Sequence, residues 1–331
     1  MAKKHDLKVC KGTFRLIGNV QGVTSDRFFQ TMEFDSGRIK NQCSFGVETS
    51  PNNVNYVTVE GFDGEEAWFS KWDKDTKTND IKKVAWDDRF NFDEEGYQPF
   101  FGTRVGLELD DKGKPQVATM FGFDASQEIS ASLEDDMGVF IEGQISYTSY
   151  KKGDELKRYK NFVPQKIYAQ KNMVDFESDK FKEENRFEQE IVFVSIEQEK
   201  DPETNKPTGR FFVFAKIVTR DGVEDATFIV EDKQLAGKMR KGLKPYYGIQ
   251  VMGRLVTKVE DVEVSDEDAW GSDEDIDGGS SIKFREMIIT KAYPQSIDKE
   301  SYSEEKLASI KQAEDDFGEI ESDEEDGEEV W

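Results

Sequence analysis

Histidine and cysteine are almost missing from this 331-residue chain: His5 stands alone, and Cys10 and Cys43 are the only thiols. A Ser-His-Asp or Cys-His mechanism would have to use His5, which lies in a polar N-terminal stretch with no nucleophile singled out near it. One histidine and two cysteines cannot supply a four-ligand structural zinc site. Nor do two cysteines make a disulfide framework, so a reducing cytoplasm is the expected compartment. No apolar run reaches the ~18–20 residues of a membrane span. Met1–Asp6 is basic but lacks the apolar stretch of a secretion signal. A Gly-rich phosphate loop, a dinucleotide fingerprint and a His-based metal motif are absent as well. These gaps point away from an enzyme, a cofactor-dependent protein and a membrane protein. A nuclease built on carboxylate-held metal would need a pair of acids set apart by context, and no pair is.

Positive charge is also in short supply, with 45 Lys+Arg against 70 Asp+Glu and a net charge of −25. The acids are unevenly placed. Glu260–Asp277 holds 10 acids and no Lys or Arg, and Gln312–Trp331 holds 11 and none. The other 293 residues carry only −4. The chain is therefore a nearly neutral body with two acidic segments. Within the first of them, Asp273-Glu-Asp275-Ile-Asp277-Gly278 matches the opening of a calcium loop. The twelfth position is Phe284 rather than Glu and the flanks look like strands, so no metal site is expected.

Aromatic residues make up 12% of the chain, and many fall in short alternating runs. Thr13–Val20, Phe28–Phe34, Val54–Glu60, Val139–Ile145, Ile191–Ile196, Phe211–Val218, Ile249–Leu255 and Phe284–Thr290 read as strands. Asp63-Gly64, Lys112-Gly113, Lys152-Gly153 and Asp221-Gly222 lie between the runs, as turns would. One helix is expected, over Tyr302–Ala313, with Ser301 and Glu304 as a capping box. Several blocks recur in the same order. Arg27-Phe28-Phe29 returns as Arg210-Phe211-Phe212, and Ala118–Phe121 as Ala226–Ile229. Gly138–Ile145 returns as Gly248–Leu255, with glycines five apart. Strand order and repetition together predict a mainly β protein of two tandem OB-fold-like five-stranded Greek-key barrels. The first is expected over 1–172 with a β-rich insertion at about 37–110. A linker (173–186) leads to the second (187–297), whose last two strands flank an acidic loop at 260–281. A short helix (298–313) and a disordered acidic tail (314–331) complete the chain.

Two segments reverse the overall sign. Lys233–Lys258 holds seven basic residues and no acid, including Lys238, Arg240, Lys241, Lys244 and Arg254, with Tyr246 and Tyr247 in the middle. Tyr147–Lys171 holds Lys151, Lys152, Lys157, Arg158 and Lys160 among Tyr147, Tyr150, Tyr159 and Phe162. Cations that track phosphates, interleaved with rings that stack bases, suit a single-stranded nucleic acid. Strand faces add candidates, since side chains alternate across a strand. In Arg210–Ile217 one face takes Phe211, Val213, Ala215 and Ile217, which is core-like. The other takes Arg210, Phe212, Phe214 and Lys216, a plausible stacking platform. Arg27 and Phe29 share a face in the same way. Trp68, Trp72 and Tyr56 are weaker candidates, because large aromatics in a β-domain are more often core.

The chain closes on Glu328-Glu329-Val330-Trp331. A mere solubilising tail has no need of a terminal indole, whereas an acidic arm with an apolar tip can dock in a basic pocket on a partner. Strand order, basic-aromatic segments and this tail together resemble the single-stranded DNA-binding proteins of bacteria and their phages, whose tails end in acids and then Phe. Trp replaces Phe here, and two linked folds take the place of one, as in a phage-encoded version. The resemblance implies a non-enzymatic protein that coats and protects single-stranded DNA in replication, recombination and repair. It also implies that Glu328, Glu329, Val330 and Trp331 recruit a helicase, polymerase or recombinase. The competing expectation is an acidic decoy that mimics nucleic acid and blocks a host DNA-binding protein. The near-neutral body favours the binder. An acidic tail would also compete with DNA for the protein's own basic groove. Removing residues 312–331 should therefore tighten binding to fluorescent oligo-dT, most at low salt; equal affinities of the two forms at low salt would exclude self-competition.

Overall fold

The computed structural model describes residues 5–152, 155–261 and 281–316. In chain order the first elements are β1 (Gly12–Gln21), β2 (Phe29–Glu33), β3 (Ile39–Ser50), β4 (Asn53–Phe62), β5 (Glu66–Asp73), β6 (Thr78–Ala85), β7 (Gln98–Pro99), β8 (Thr103–Gly106), β9 (Ala118–Met120), α1 (Gly122–Ser132), β10 (Gly138–Lys152) and β11 (Glu155–Ala169). The second half contains β12 (Glu184–Lys200), β13 (Pro207–Val218), β14 (Val223–Val230), α2 (Lys233–Gly242), β15 (Gly248–Asp261), β16 (Ser281–Asp298) and α3 (Glu304–Asp316). None of the helices is long and apolar enough to cross a membrane.

The second half closes on itself. β12 pairs with β13, β13 with β14, β14 runs parallel to β16, and β16 pairs with β15, which returns to β12. This is the strand order of an OB-like Greek key, with α2 in the connection between third and fourth strands. Strict alternation drives it: Phe211, Val213, Ala215 and Ile217 of β13 are buried, while Phe212, Phe214 and Lys216 between them are not. Phe187 and Phe228 are fully buried inside, each contributing about 1.5–3 kcal/mol. The first half repeats the order more loosely. β3 and β10 flank β1, β4 follows β3, and β11 follows β10. β8 lies parallel to β11.

The expected boundaries shift in three places. β3 and β4, expected within the insertion, are barrel strands; the added part is a separate three-stranded sheet of β5, β6 and β7. β12 starts at Glu184, so the end of the expected linker is strand. The Arg27–Phe29 block precedes β2, which pairs only with β3 and has no counterpart position in the second ring. Ala118–Met120 likewise forms a short strand beside β8, although it leads into a helix as its counterpart does. Two helices were not expected. α1 buries only Ala125 and Ile129 as apolar contacts, and α2 only Ala236 and Met239, too few to mark a helical stripe. The cap of α3 is Ser303, whose Oγ accepts from Lys306 N at 3.2 Å, not Ser301.

The Gly138–Ile145 and Gly248–Leu255 blocks do match, and they explain how the halves join. β1 and β12 form an antiparallel ladder from Gly12↔Gln189 to Ile17↔Glu184, in which Phe14 faces Phe187. Phe14 also faces Gly143 on β10, and Phe187 faces Gly253 on β15. Both glycines sit at a bulge. A local two-fold axis thus passes through the Phe14–Phe187 pair. A Cβ at Gly143 would lie 2.1 Å from the Val163 carbonyl oxygen and 2.8 Å from the Phe14 ring. At Gly253 it would lie 1.9 Å from the Ile288 oxygen and 2.7 Å from the Phe187 ring.

Past the bulges, the β10–β11 and β15–β16 hairpins run on as arms that cross to the opposite half. From the first arm, Ser149 Oγ donates to Glu224 at 2.7 Å and Arg158 to Asp225 at 3.0 Å, both on β14. From the second, Thr257 Oγ donates to the Val54 carbonyl at 2.6 Å and Arg285 to that of Tyr56 at 2.7 Å, both on β4. Asn185 ties the junction by bonding Leu255 N and O at 3.0 and 2.7 Å. Burial would raise the carboxyl of neighbouring Glu183, but hydrogen bonds from Thr49, Ser50, Asn185 and Asn53 outweigh it and hold the group below the ordinary value. Gly253→Ala and Gly143→Ala should each lower stability by roughly 1–3 kcal/mol in urea unfolding. Gly237→Ala, in α2 with nothing within 4 Å of the added methyl, should raise it. Equal effects at the three positions would show that close packing at the bulges is not limiting.

Candidate functional site

The outer face of β13 carries Arg210, Phe212, Phe214 and Lys216, all part-exposed. The two phenylalanine rings lie side by side with centroids 6.3 Å apart, which follows from their i, i+2 placement. The cations beside them are held by acids. Arg210 bonds Glu286 at 2.6 Å and Glu199 at 3.3 Å, and Lys216 pairs with Asp225. Burial alone would lower the Arg210 guanidinium, but the Glu286 bond and the acids around it keep it above its ordinary value. Arg254 pairs with Glu231 at 2.9 Å.

α2 and the residues just after it carry cations without an ion pair among the described residues. Asp232 caps it by accepting from Gln234 N at 2.7 Å, and no acid lies in its first turn. Lys238, Lys241 and Lys244 are exposed and make no ion pair with any described residue. Arg240 reaches the Ile196 carbonyl at 3.5 Å and stands 5.8 Å from the Phe211 ring. Phe211 faces the core, so this contact places the end of α2 against the barrel interior side of β13, the face opposite to Phe212 and Phe214. Tyr246 and Tyr247 are part-buried, and their backbones bond Phe193. Burial and the Glu304 carboxylate raise the Tyr246 hydroxyl.

On the first arm the candidates separate. Tyr147 belongs to the core: its hydroxyl points at Met287 Sδ, 3.6 Å away, and it offers no face for stacking. Arg158 is exposed but paired with Asp225. Lys160 is part-exposed and lines a cleft of about 260 Å³ between the first arm and β14. The side chains of Tyr150, Lys151, Lys152 and Lys157 lie outside the described residues, as do the acidic loop at 262–280 and Glu328, Glu329, Val330 and Trp331. Arg27 is exposed, and Phe29 packs partly against the core. Neither adjoins the β13 face in sheet order.

Trp68 and Trp72, weaker candidates in the sequence because large aromatics in a β-domain are more often core, are 41% and 57% exposed. They share one face of the small sheet, and Lys83 Nζ sits 4.1 Å above the Trp68 ring. Tyr56 is 46% exposed. Burial pushes the Cys10 thiol up to about 11 and the Cys43 thiol up to about 12, which makes both poor nucleophiles. Among the described residues no group of three or more His, Cys, Asp or Glu is placed to hold a metal.

A family model described as YorF matches residues 71–326. The chain belongs to the YorF family. The YorF match begins inside β5 and takes in the whole second half. No curated protein matches the sequence. Among solved structures, a deletion mutant of the single-stranded DNA binding protein from Thermus aquaticus is similar at a TM-score of 0.41 and 11% identity, over 89% of this chain and 97% of that one. The wild-type form of that protein gives 0.39 and 11%, over 86% and 91%. At such identity the function of this YorF protein has to be argued from its own residues.

One of those residues is Lys160, whose ammonium is pushed down from 10.5 to about 8 by burial and by the charge of Arg285. Between pH 8 and 10.5 the unfolded chain then holds more protons than the folded one, so this residue makes stability rise with pH across that window. Urea midpoints should therefore climb from pH 8 to 10 in the wild type relative to Lys160→Met; parallel profiles would mean that the lysine is fully solvated.

Proposed function

We propose that this protein binds single-stranded DNA with little sequence preference and without catalysing a reaction on it. The observation that carries this reading is the part-exposed Phe212–Phe214 pair on the outer face of a closed β ring, whose half also carries Lys238, Lys241 and Lys244, exposed and without an ion pair among the described residues. Every base has a π-face, so two adjacent rings stack bases of any sequence, while nearby cations neutralise phosphates. Among the ion-paired cations, Arg254 and Lys216, whose acids are exposed, fit this role at small cost. Exposed ion pairs contribute about 0–1 kcal/mol, and an incoming phosphate can replace a carboxylate.

On this reading the protein coats and protects single strands during replication and recombination in the cytoplasm. Lys151, Lys152 and Lys157 then extend the basic track. The acidic end at Glu328, Glu329, Val330 and Trp331 serves as a docking peptide for a helicase, polymerase or recombinase. Fluorescent oligo-dT titrated at several salt concentrations should bind, and more weakly as salt rises. Phe212→Ala with Phe214→Ala should weaken binding by roughly 1–3 kcal/mol per stacked base lost. Wild-type affinity in that double variant would take the face out of the binding site. No binding at low salt, with or without residues 312–331, would sink the proposal and favour an acidic decoy of a DNA-binding partner.

A further inference from the structure

The two-fold relation of the halves brings two cations together. Four residues beyond Gly143, Tyr147 faces Lys160 across the first arm; four beyond Gly253, Thr257 faces Arg285 across the second. Lys160 and Arg285 are therefore equivalent positions, and each arm crosses to the other half. Each is close enough to the Phe162–Met287 region to share it. Arg285 lies 4.1 Å above the Phe162 ring, and Met287 lines the cleft beside Lys160.

Neither cation makes an ion pair with a described residue. Arg285 gives one Nη to the Tyr56 carbonyl at 2.7 Å, while its Nε is buried without a partner. Lys160 Nζ makes no hydrogen bond or ion pair with any described residue. Two acids line the same cleft, and neither is ion-paired with Lys160 or Arg285. Glu224 accepts from Ser149, and Asp225 is paired with Arg158 and Lys216. Burial and its neighbour lower Lys160 as described, and burial takes Arg285 down to about 10. Like charges held together out of water destabilise the folded protein unless an anion joins them. An ammonium beside an unfilled guanidinium N–H suits the tetrahedral oxygens of phosphate.

We propose that Lys160 and Arg285 form a phosphate-binding site at the crossing of the two arms, and that its working ligand is a backbone phosphate of a single strand passing from one half to the other. The second clause rests on the function proposed above; the first does not. Inorganic phosphate, compared with chloride at equal ionic strength, should raise the melting temperature of the full-length protein. Lys160→Gln and Arg285→Gln should each abolish that difference. Arg285→Lys, which keeps the charge, should retain part of it and guards against a folding defect in the glutamine variant. An equal response to both anions in the wild type would overturn the site. In oligo-dT titrations, Lys160→Gln should flatten the slope of log K against log salt by about 0.7, the value for one single-strand phosphate contact. A phosphate effect with an unchanged slope would leave a site for free phosphate and overturn the strand assignment. A phosphate effect with no oligo-dT binding at all would refute the DNA-binding function while upholding the anion site.

Discussion

Two bulged glycines set the geometry on which the rest of the molecule depends. At Gly143 and Gly253 a neighbouring carbonyl oxygen and a phenylalanine ring fill the volume that any other side chain would need. Phe14 and Phe187 can lie flat against those strands only because the space is free, and they then meet across the β1–β12 ladder. A bulge also bends a strand and increases its twist. Here the bend comes where each long hairpin leaves its own ring, and it turns the hairpin toward the other. The crossed arms, the cleft beside Lys160 and the junction around Asn185 all lie downstream of this single steric condition.

Electrostatics are arranged with the same economy. Most cations on the sheet faces stand beside a carboxylate: Arg210 between two glutamates, Lys216 and Arg158 on Asp225, Arg254 on Glu231. Among the cations without an ion pair to a described residue are those at the end of α2 and at the arm crossing. On the proposed function, a polyanion would be attracted by such local groups rather than by a diffuse field. Its phosphates also meet cations already held in fixed positions by acids that they can displace.

Legibility in the sequence followed the range of the interaction involved. The alternation in β13 is a property of consecutive residues, and its inner and outer faces were readable residue by residue. The Gly138 and Gly248 blocks were readable because the glycines answer a steric need that recurs in both halves. The Arg27-Phe28-Phe29 block misled, since a short motif says nothing about which strand lies beside it, and β2 turned out to be a flanking hairpin strand. α2 was hidden by its own charge: a helix that buries only Ala236 and Met239 shows cations rather than an apolar stripe. Trp68 and Trp72 ranked as weaker candidates because large aromatics in a β-domain are more often core, but both stand exposed on the three-stranded sheet. The Lys160–Arg285 pairing could not be read at all. It depends on the register of two hairpins far apart in the chain and on their crossing.

The crossed arms also bear on how the protein is made. β4 belongs to the first half, yet its partners Thr257 and Arg285 are supplied by a hairpin that ends at Asp298. During synthesis the first half leaves the ribosome well before that hairpin exists, with the edge of β4 uncovered. Contacts of such long sequence separation form slowly, and an open strand edge invites pairing with other chains while it waits. The interval between synthesis of β4 and arrival of β16 is thus the period in which a nascent chain is most exposed to misassembly, and the time at which a chaperone would have most to protect.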